Sequence, residues 1–178
     1  IGPNAKEVSV LLGNYNGTPY EFTTIFEGIK NQAKGKVYYA AGSRHMRGDM
    51  GDWDEHLLRD ALLAADRSDV VIMCMGLTPN YEGEEGSFGN GGDKRDIELP
   101  AAQQNLFREV LARGKPIIFV NVSGSAMNLT EQDEKCDAVI QLFYCGSDGG
   151  NALADVIFGR VNPSGRLPVT FYRSTEDL

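Results

Sequence analysis

Positive charge is scarce: 17 Lys+Arg stand against 25 Asp+Glu in 178 residues, a net charge of −8. A nucleic-acid binder needs a basic face to neutralise phosphates, so the balance argues against that class. Long apolar runs are absent too. The longest, Val70–Met75, falls far short of the ~20 residues of a membrane span, and no membrane partner is expected. No basic segment followed by an apolar one opens the chain, so no signal peptide is visible. It begins at Ile1 rather than Met, as expected of a mature or excised piece. The three cysteines, Cys74, Cys136 and Cys145, form no C-x-x-C pair, which argues against a disulfide scaffold or a zinc knuckle. His45 and His56 share no ligand spacing, so no metal site is expected. Neither G-x-G-x-x-G after the first strand-like run nor G-x-x-x-x-G-K-[ST] occurs, and no cofactor is expected. Ser123-Gly124-Ser125 is not G-x-S-x-G and has no histidine placed for it, so a serine hydrolase is disfavoured.

Strand-like and helix-like segments alternate along the chain. Val8–Leu12 is a short apolar run stopped by Gly13-Asn14 and reads as a buried strand. Thr24 with Glu27 forms a capping box, after which Phe26, Ile29 and Ala33 share a helical face. Lys36–Ala41 reads as a second strand. Leu58, Ala61, Leu62 and Ala65 form a helical stripe, with Asp52 and Glu55 able to cap it. Asp69–Gly76 is the most apolar strand, and its lack of alternation suits a central parallel strand covered on both faces. A helix follows from Pro100 to about Arg113, then strands at Pro116–Val122 and Ala138–Tyr144. A helix at Gly149–Phe158 and a last strand at Val169–Phe171 complete the series. This order predicts one domain over 1–178: a three-layer α/β/α sandwich, its mostly parallel sheet of about six strands flanked by helices on both faces.

Residues 77–99 break the economy of the short joints. Loops beyond ~12–15 residues in compact domains are mostly functional or disordered. This one leaves the carboxyl end of the central strand, where ligands bind in open α/β sheets. It carries Glu82, Glu84 and Glu85, then Gly86, Gly89, Gly91 and Gly92, then Asp93, Lys94, Arg95 and Asp96. Three acids in four positions repel one another, and they cap no helix. A solvated acidic loop accounts for them. So does a carboxyl that gives or takes a proton, its pKa lifted by acidic neighbours or burial. Lys94 or Arg95 is expected to anchor the loop by pairing with an acid. Elsewhere, Gly146–Gly150 reads as a tight strand-to-helix turn before it reads as an anion cradle. The N-x-[ST] sequons at Asn16, Asn121 and Asn128 are not read as glycosylated, Asn121 lying in an expected buried strand.

Several segments together resemble the C-terminal α/β sandwich domain of glycoside hydrolase family 3, the β-glucosidases and β-xylosidases. They are Ile1-Gly2-Pro3-Asn4-Ala5, then Leu12-Gly13-Asn14-Tyr15-Asn16-Gly17-Thr18-Pro19 in the style of the xylosidase branch, and Ser68–Leu77. Tyr81-Glu82-Gly83-Glu84-Glu85-Gly86, with Gly92-Asp93-Lys94 and Leu99-Pro100 after it, is similar to the family's E-[GA]-E…D-[RK]…LP segment. Gly149-Gly150-Asn151-Ala152 onward to Asn162-Pro163-Ser164-Gly165-Arg166-Leu167-Pro168-Val169-Thr170-Phe171 is similar to its closing stretch. Two departures stand out. Cys145 occupies the place of a proline in a Y-P-G turn, and Ser87–Gly91 are extra residues in the loop.

The resemblance implies a split active site. An aspartate nucleophile would come from an N-terminal (β/α)₈ barrel absent from this chain, and the general acid/base from this domain's loop. The second glutamate of E-G-E falls on Glu84, with Glu82 and Glu85 as rival placements. Tyr15, Tyr81 and Glu82 are the expected substrate contacts, and Tyr15, Tyr81 and Phe88 are candidates for the face towards the barrel. The implied activity is that of a retaining, exo-acting β-xylosidase or β-glucosidase on terminal β-linked sugars of oligosaccharides or aryl β-glycosides, with the isolated chain inactive. A non-catalytic module that binds sugar or stabilises the barrel is the competing reading. A free-standing flavodoxin-like binding module, without a phosphate loop, comes third.

Overall fold

Continuous apolar runs form strands here because each alternate side chain finds its own helical layer. In β1 (Val71–Gly76) and β2 (Ile117–Val122), Val71, Met73, Met75, Ile117 and Phe119 face one layer. That layer is built from Ala61 and Ala65 of α3 (Asp52–Asp66) and Leu106, Phe107 and Val110 of α5 (Ala101–Leu111). Cys74, Val120 and Val122 face the other way, onto Ile25 and Ile29 of α2 (Ile25–Gln32) and Leu153 and Ala154 of α7 (Gly149–Ile157). This computed structural model describes residues 1–14, 17–46, 52–82 and 94–178, apart from the side chains of Asp52 and Trp53.

The strands are parallel in the order β1-β2-β3, with β3 spanning Ala138–Leu142. Val71 pairs with Ile117 and Gly76 with Val122, while Ile118 pairs with Ala138 and Val122 with Leu142. Helix α5 links β1 to β2, and the shorter α6 (Thr130–Lys135) links β2 to β3. Phe107 meets Phe119 edge-on at 5.7 Å, both fully buried. Each such ring contributes about 1.5–3 kcal/mol by burial. An exposed pair such as Arg59–Glu55, at 70% and 57% side-chain exposure, contributes well under about 1 kcal/mol. The two apolar faces, and not surface ion pairs, hold the layers together.

The α/β sandwich matches expectation, but its sheet has three strands among the described residues where about six were expected. Two of the missing strands are apolar runs too short to carry a period, where strand and helix look alike in sequence. Val8–Leu12 instead contains the short helix α1 (Ser9–Leu12), whose start is set by Glu7 Oε1 accepting from the Ser9 N–H at 3.0 Å. Lys36–Ala41 forms no strand of the described sheet. Ile1 already occupies the outer edge of β1, its nitrogen donating to Ile72 O and its carbonyl accepting from Cys74 N. The Gly2 N–H then reaches Ala40 O at 3.0 Å, one rung further out. Val169–Phe171 has no partner strand either, and Val169 is 56% exposed.

Helices α2 and α7 approach so closely that only glycines fit at the crossing. A Cβ on Gly28 would lie 2.1 Å from Gly150 O, and one on Gly150 would lie 2.1 Å from Thr24 O. The expected capping box is present: the Glu27 N–H donates to Thr24 Oγ1, and Glu27 Oε2 accepts from the Thr24 N–H and hydroxyl. The Asp52 side chain, expected to cap α3, lies outside the described residues.

Gly28→Ala is therefore expected to lower stability by about 1–3 kcal/mol through forced overpacking, read as a shift of the urea midpoint. Thr24→Ala should cost about 1 kcal/mol at neutral pH by removing the cap. Hydrogen bonds from the Thr24 N–H and then its hydroxyl hold the Glu27 carboxyl below its ordinary value. The stabilisation tied to that lowering is present above the ordinary glutamate pKa of about 4.3 and lost as pH falls through the depressed one. The gap between wild type and Thr24→Ala should thus narrow in acid, as denaturation curves at successive pH values will show.

Candidate functional site

Parallel pairing in register brings the exits of all three strands to one edge of the sheet, the edge at which α/β folds place their ligands. β1 ends at Gly76 and leads through Leu77 and Thr78 into α4 (Pro79–Glu82). β2 ends at Val122 and enters the turn 123–127. β3 ends at Leu142, two residues before Tyr144.

Glu82 joins these exits. Its Oε2 accepts from the Gly124 N–H at 2.8 Å and from the Tyr144 hydroxyl. Its Oε1 accepts from the Ser125 N–H at 2.8 Å and from the Ser125 hydroxyl. A carboxylate offers about four acceptor positions, and these four donors fill them. Gly124 has no room for a side chain, since a Cβ there would lie 2.7 Å from Glu82 Oε2 and 2.9 Å from the Tyr144 ring. Burial, and then the adjacent Glu82, push the Tyr144 phenol well above its ordinary pKa, so it stays a donor.

A polar layer stiffens the turn from below. Asn121 Nδ2 donates to Gln141 Oε1 at 2.6 Å and to Ser123 Oγ at 2.9 Å. Gln141 Nε2 returns a bond to Ser123 O, and the Ser123 hydroxyl donates to Ser125 O. The Ser123 hydroxyl is thus engaged within the turn and the Ser125 hydroxyl on Glu82. Asn121 is fully buried and offers no surface for a glycan.

Lys94 holds the same turn from its other end, with Nζ donating to Ala126 O at 2.6 Å and approaching Met127 Sδ at 3.1 Å. Burial lowers its pKa, opposed by the nearby charges of Glu82 and Asp96. An acid pair was expected of Lys94 or Arg95; among the described residues Lys94 bonds a backbone carbonyl and neither forms an ion pair. Glu82 and Lys94, which precede and follow residues 83–93 in the chain, converge on the four consecutive residues Gly124–Met127.

Beside α4, the Tyr81 ring is 44% exposed and stands 6.0 Å from the His45 ring. His45 Nε2 lies 2.8 Å from Asn4 Oδ1, and Asn4 Nδ2 donates to Leu77 O. Burial lowers the His45 pKa, with the charge of Glu7 opposing it. Gln103, fully buried in α5, exchanges hydrogen bonds with both the N–H and the carbonyl of Gly76 and also donates to His45 O.

Of the residues singled out in the sequence, Tyr81 and Glu82 thus sit together at this edge. Glu84, Glu85, Phe88, Tyr15 and the sequon at Asn16 lie outside the described residues, as do the extra residues Ser87–Gly91. Sequence reasoning passed over Tyr144, Asn4 and Gln103. Gln103 alone had a local signal: a polar residue one turn from Leu106 and Phe107 on a helix face otherwise apolar. At Gly146–Gly150 the Gly149 and Gly150 N–H groups are bonded to Gly146 O and Thr23 O, the arrangement of a tight turn. Among the described residues no group of three or more His, Cys, Asp or Glu side chains is placed to hold a metal.

The chain is 46% identical to a xylan 1,4-β-xylosidase of Xylanibacter ruminicola over 112 residues, 61% of this chain and 13% of that protein. It is 35% identical to β-D-xylosidase 3 of Arabidopsis thaliana over 176 residues, 97% of this chain and 21% of that protein. A solved β-glucosidase from Erythrobacter marinus superposes with a TM-score of 0.86 at 33% identity, covering 99% of this chain and 26% of that one. The chain thus spans about a quarter or less of the length of these proteins. The description "Glycosyl hydrolase family 3 C-terminal domain" matches residues 1–178, and the chain belongs to that family.

Proposed function

We propose that this domain supplies the general acid/base carboxyl, Glu84, to a retaining exo-acting β-xylosidase or β-glucosidase, whose nucleophile comes from an N-terminal (β/α)₈ barrel of the same enzyme. The observation that carries the reading is the engagement of Glu82. With four donors on its two oxygens it is built as a fastening, with no oxygen free to give a proton to a leaving group or to accept one from a water. That favours Glu84, the second acid of the family segment, over Glu82. Glu85 remains the rival placement.

The chemistry needs two carboxyl groups ~5–5.5 Å apart on opposite sides of the scissile bond. The barrel carboxylate attacks the anomeric carbon while Glu84 gives its proton to the departing oxygen. Glu84, now a carboxylate, takes a proton from the water that attacks the glycosyl-enzyme ester, and the nucleophile leaves as a free carboxylate. Acids within one short loop cannot straddle a sugar, so the chain needs its partner domain. Substrates are oligosaccharides or aryl glycosides with a terminal β-linked sugar. Tyr81, exposed beside Glu82, is a candidate contact for the sugar or for the barrel.

In the full-length enzyme, Glu84→Gln should lower kcat/KM on substrates with poor leaving groups by roughly 10²–10⁴-fold, with azide partly restoring turnover of activated aryl glycosides. If Glu84→Gln leaves turnover intact while Glu85→Gln abolishes it, the assignment is wrong. The purified 178-residue chain should release no detectable aglycone from aryl β-xylosides or β-glucosides. Efficient hydrolysis by it would overturn the division of labour.

A further inference from the structure

We infer that His45 and Tyr81 bind the departing sugar of an oligosaccharide substrate, His45 by accepting a hydrogen bond from a sugar hydroxyl at Nδ1 and Tyr81 by offering its ring. The inference rests on the proposed function, in which this domain protonates the departing oxygen and so meets the substrate on its leaving-group side. The terminal sugar is then held against the barrel nucleophile, which leaves the departing sugar to this domain.

The hydrogen-bond chemistry around His45 admits one arrangement. The Leu77 carbonyl can only accept, so the Asn4 atom facing it is the amide nitrogen, and Asn4 Oδ1 faces the imidazole. His45 Nε2 must then carry the hydrogen. Burial lowers the pKa of the ring, with the charge of Glu7 opposing, so the imidazole is neutral at neutral pH and Nδ1 is an acceptor. Among the described residues no group donates to Nδ1, and none bonds the Tyr81 hydroxyl.

Two fully buried amides hold this residue in place. Asn4 accepts from its ring, and Gln103 donates to its carbonyl at 2.9 Å. Both are tied in turn to the end of β1, Asn4 through Leu77 O and Gln103 through Gly76. A side chain fixed at ring and backbone, with one acceptor unspent, is how small-molecule sites set their few polar groups. Tyr81 supplies the apolar counterpart. Its ring stands 6.0 Å from the imidazole at a tilt of 35°, and it is 44% exposed at the carboxyl edge of the sheet. A sugar presents C–H groups on its faces and hydroxyls around its rim. An exposed aromatic ring beside a fixed acceptor matches both.

The test uses the full-length enzyme with a methyl β-glycoside and the matching β-linked disaccharide, xylobiose or cellobiose. Both substrates need a proton on the departing oxygen, but only the disaccharide loses a sugar ring. His45→Gln keeps a nitrogen donor for Asn4 Oδ1 and removes the Nδ1 acceptor. Its kcat/KM should fall roughly 3- to 10-fold on the disaccharide, mainly through KM, and stay within about twofold on the methyl glycoside. Tyr81→Ala removes an exposed side chain with no hydrogen bond among the described residues and should shift selectivity the same way. It decides the matter alone if a melting curve shows that His45→Gln does not fold. An equal loss on both substrates, as when Tyr81 packs on the barrel instead, overturns the inference, and so does an unchanged rate on the disaccharide. Glu84→Gln is the separate control. If it leaves turnover intact, the acid/base reading falls on its own, and the selective loss still decides His45 and Tyr81. If it lowers turnover of both substrates while the other two variants show no selective loss, the acid/base reading stands and this inference alone falls.

Discussion

The carboxylate of Glu82, held by donors from two other strand exits, sets a demand that the sheet must meet. Gly124 and Ser125 stand two and three residues beyond Val122, and Tyr144 two beyond Leu142. Val122 pairs with Leu142 on one side and Gly76 on the other. A slip of one residue in either pairing would move a donor ~3.3 Å along the strand and turn alternate side chains to the opposite face. The Glu82 cradle exists only at this register.

The register is pinned by more than apolar burial. Asn121 and Gln141 are partners across the β2–β3 ladder, and their side chains bond directly at 2.6 Å. Buried amides satisfy each other in one alignment and pay a desolvation penalty in any other, which is how polar groups in a core specify register. The choice has a cost: Asn121 Oδ1 is buried without a hydrogen-bond partner among the described groups. Gln103 acts likewise at the end of β1, closing both backbone groups of Gly76. Three side-chain amides and two apolar layers together place the carboxyl edge of the sheet.

What could be read from the sequence follows from how local each signal is. The runs Asp69–Gly76 and Pro116–Val122 announce a parallel sheet because burial on both faces leaves no alternation. Thr24 and Glu27 announce a helix start because a capping box is complete within four residues. Val8–Leu12, Lys36–Ala41 and Val169–Phe171 misled because the property that makes a strand, a partner, is not local. The Ile1 segment, about 70 positions before its partner Ile72, decides the fate of 36–41. At the site, the acids and glycines of 77–99 stood out by density alone, but the donors to Glu82 lie 42 to 62 residues away and leave no local trace. Lys94 was expected to pair with an acid, but its bond to the Ala126 carbonyl, 32 residues on, leaves no local trace either.

That choice of uncharged partners bears on the chemistry proposed here. A lysine bonded directly to Glu82 would have cancelled its charge beside the acids that follow it in the chain. Amide N–H groups and hydroxyls hold the carboxylate equally firmly and leave the charge standing. A like charge nearby disfavours ionisation of a neighbouring carboxyl, and a general acid must keep its proton near neutral pH. The Lys94 ammonium bonds the Ala126 carbonyl instead, while the direct donors to Glu82 are uncharged. The same four bonds fill the Glu82 oxygens and tie the exits of all three strands to one another.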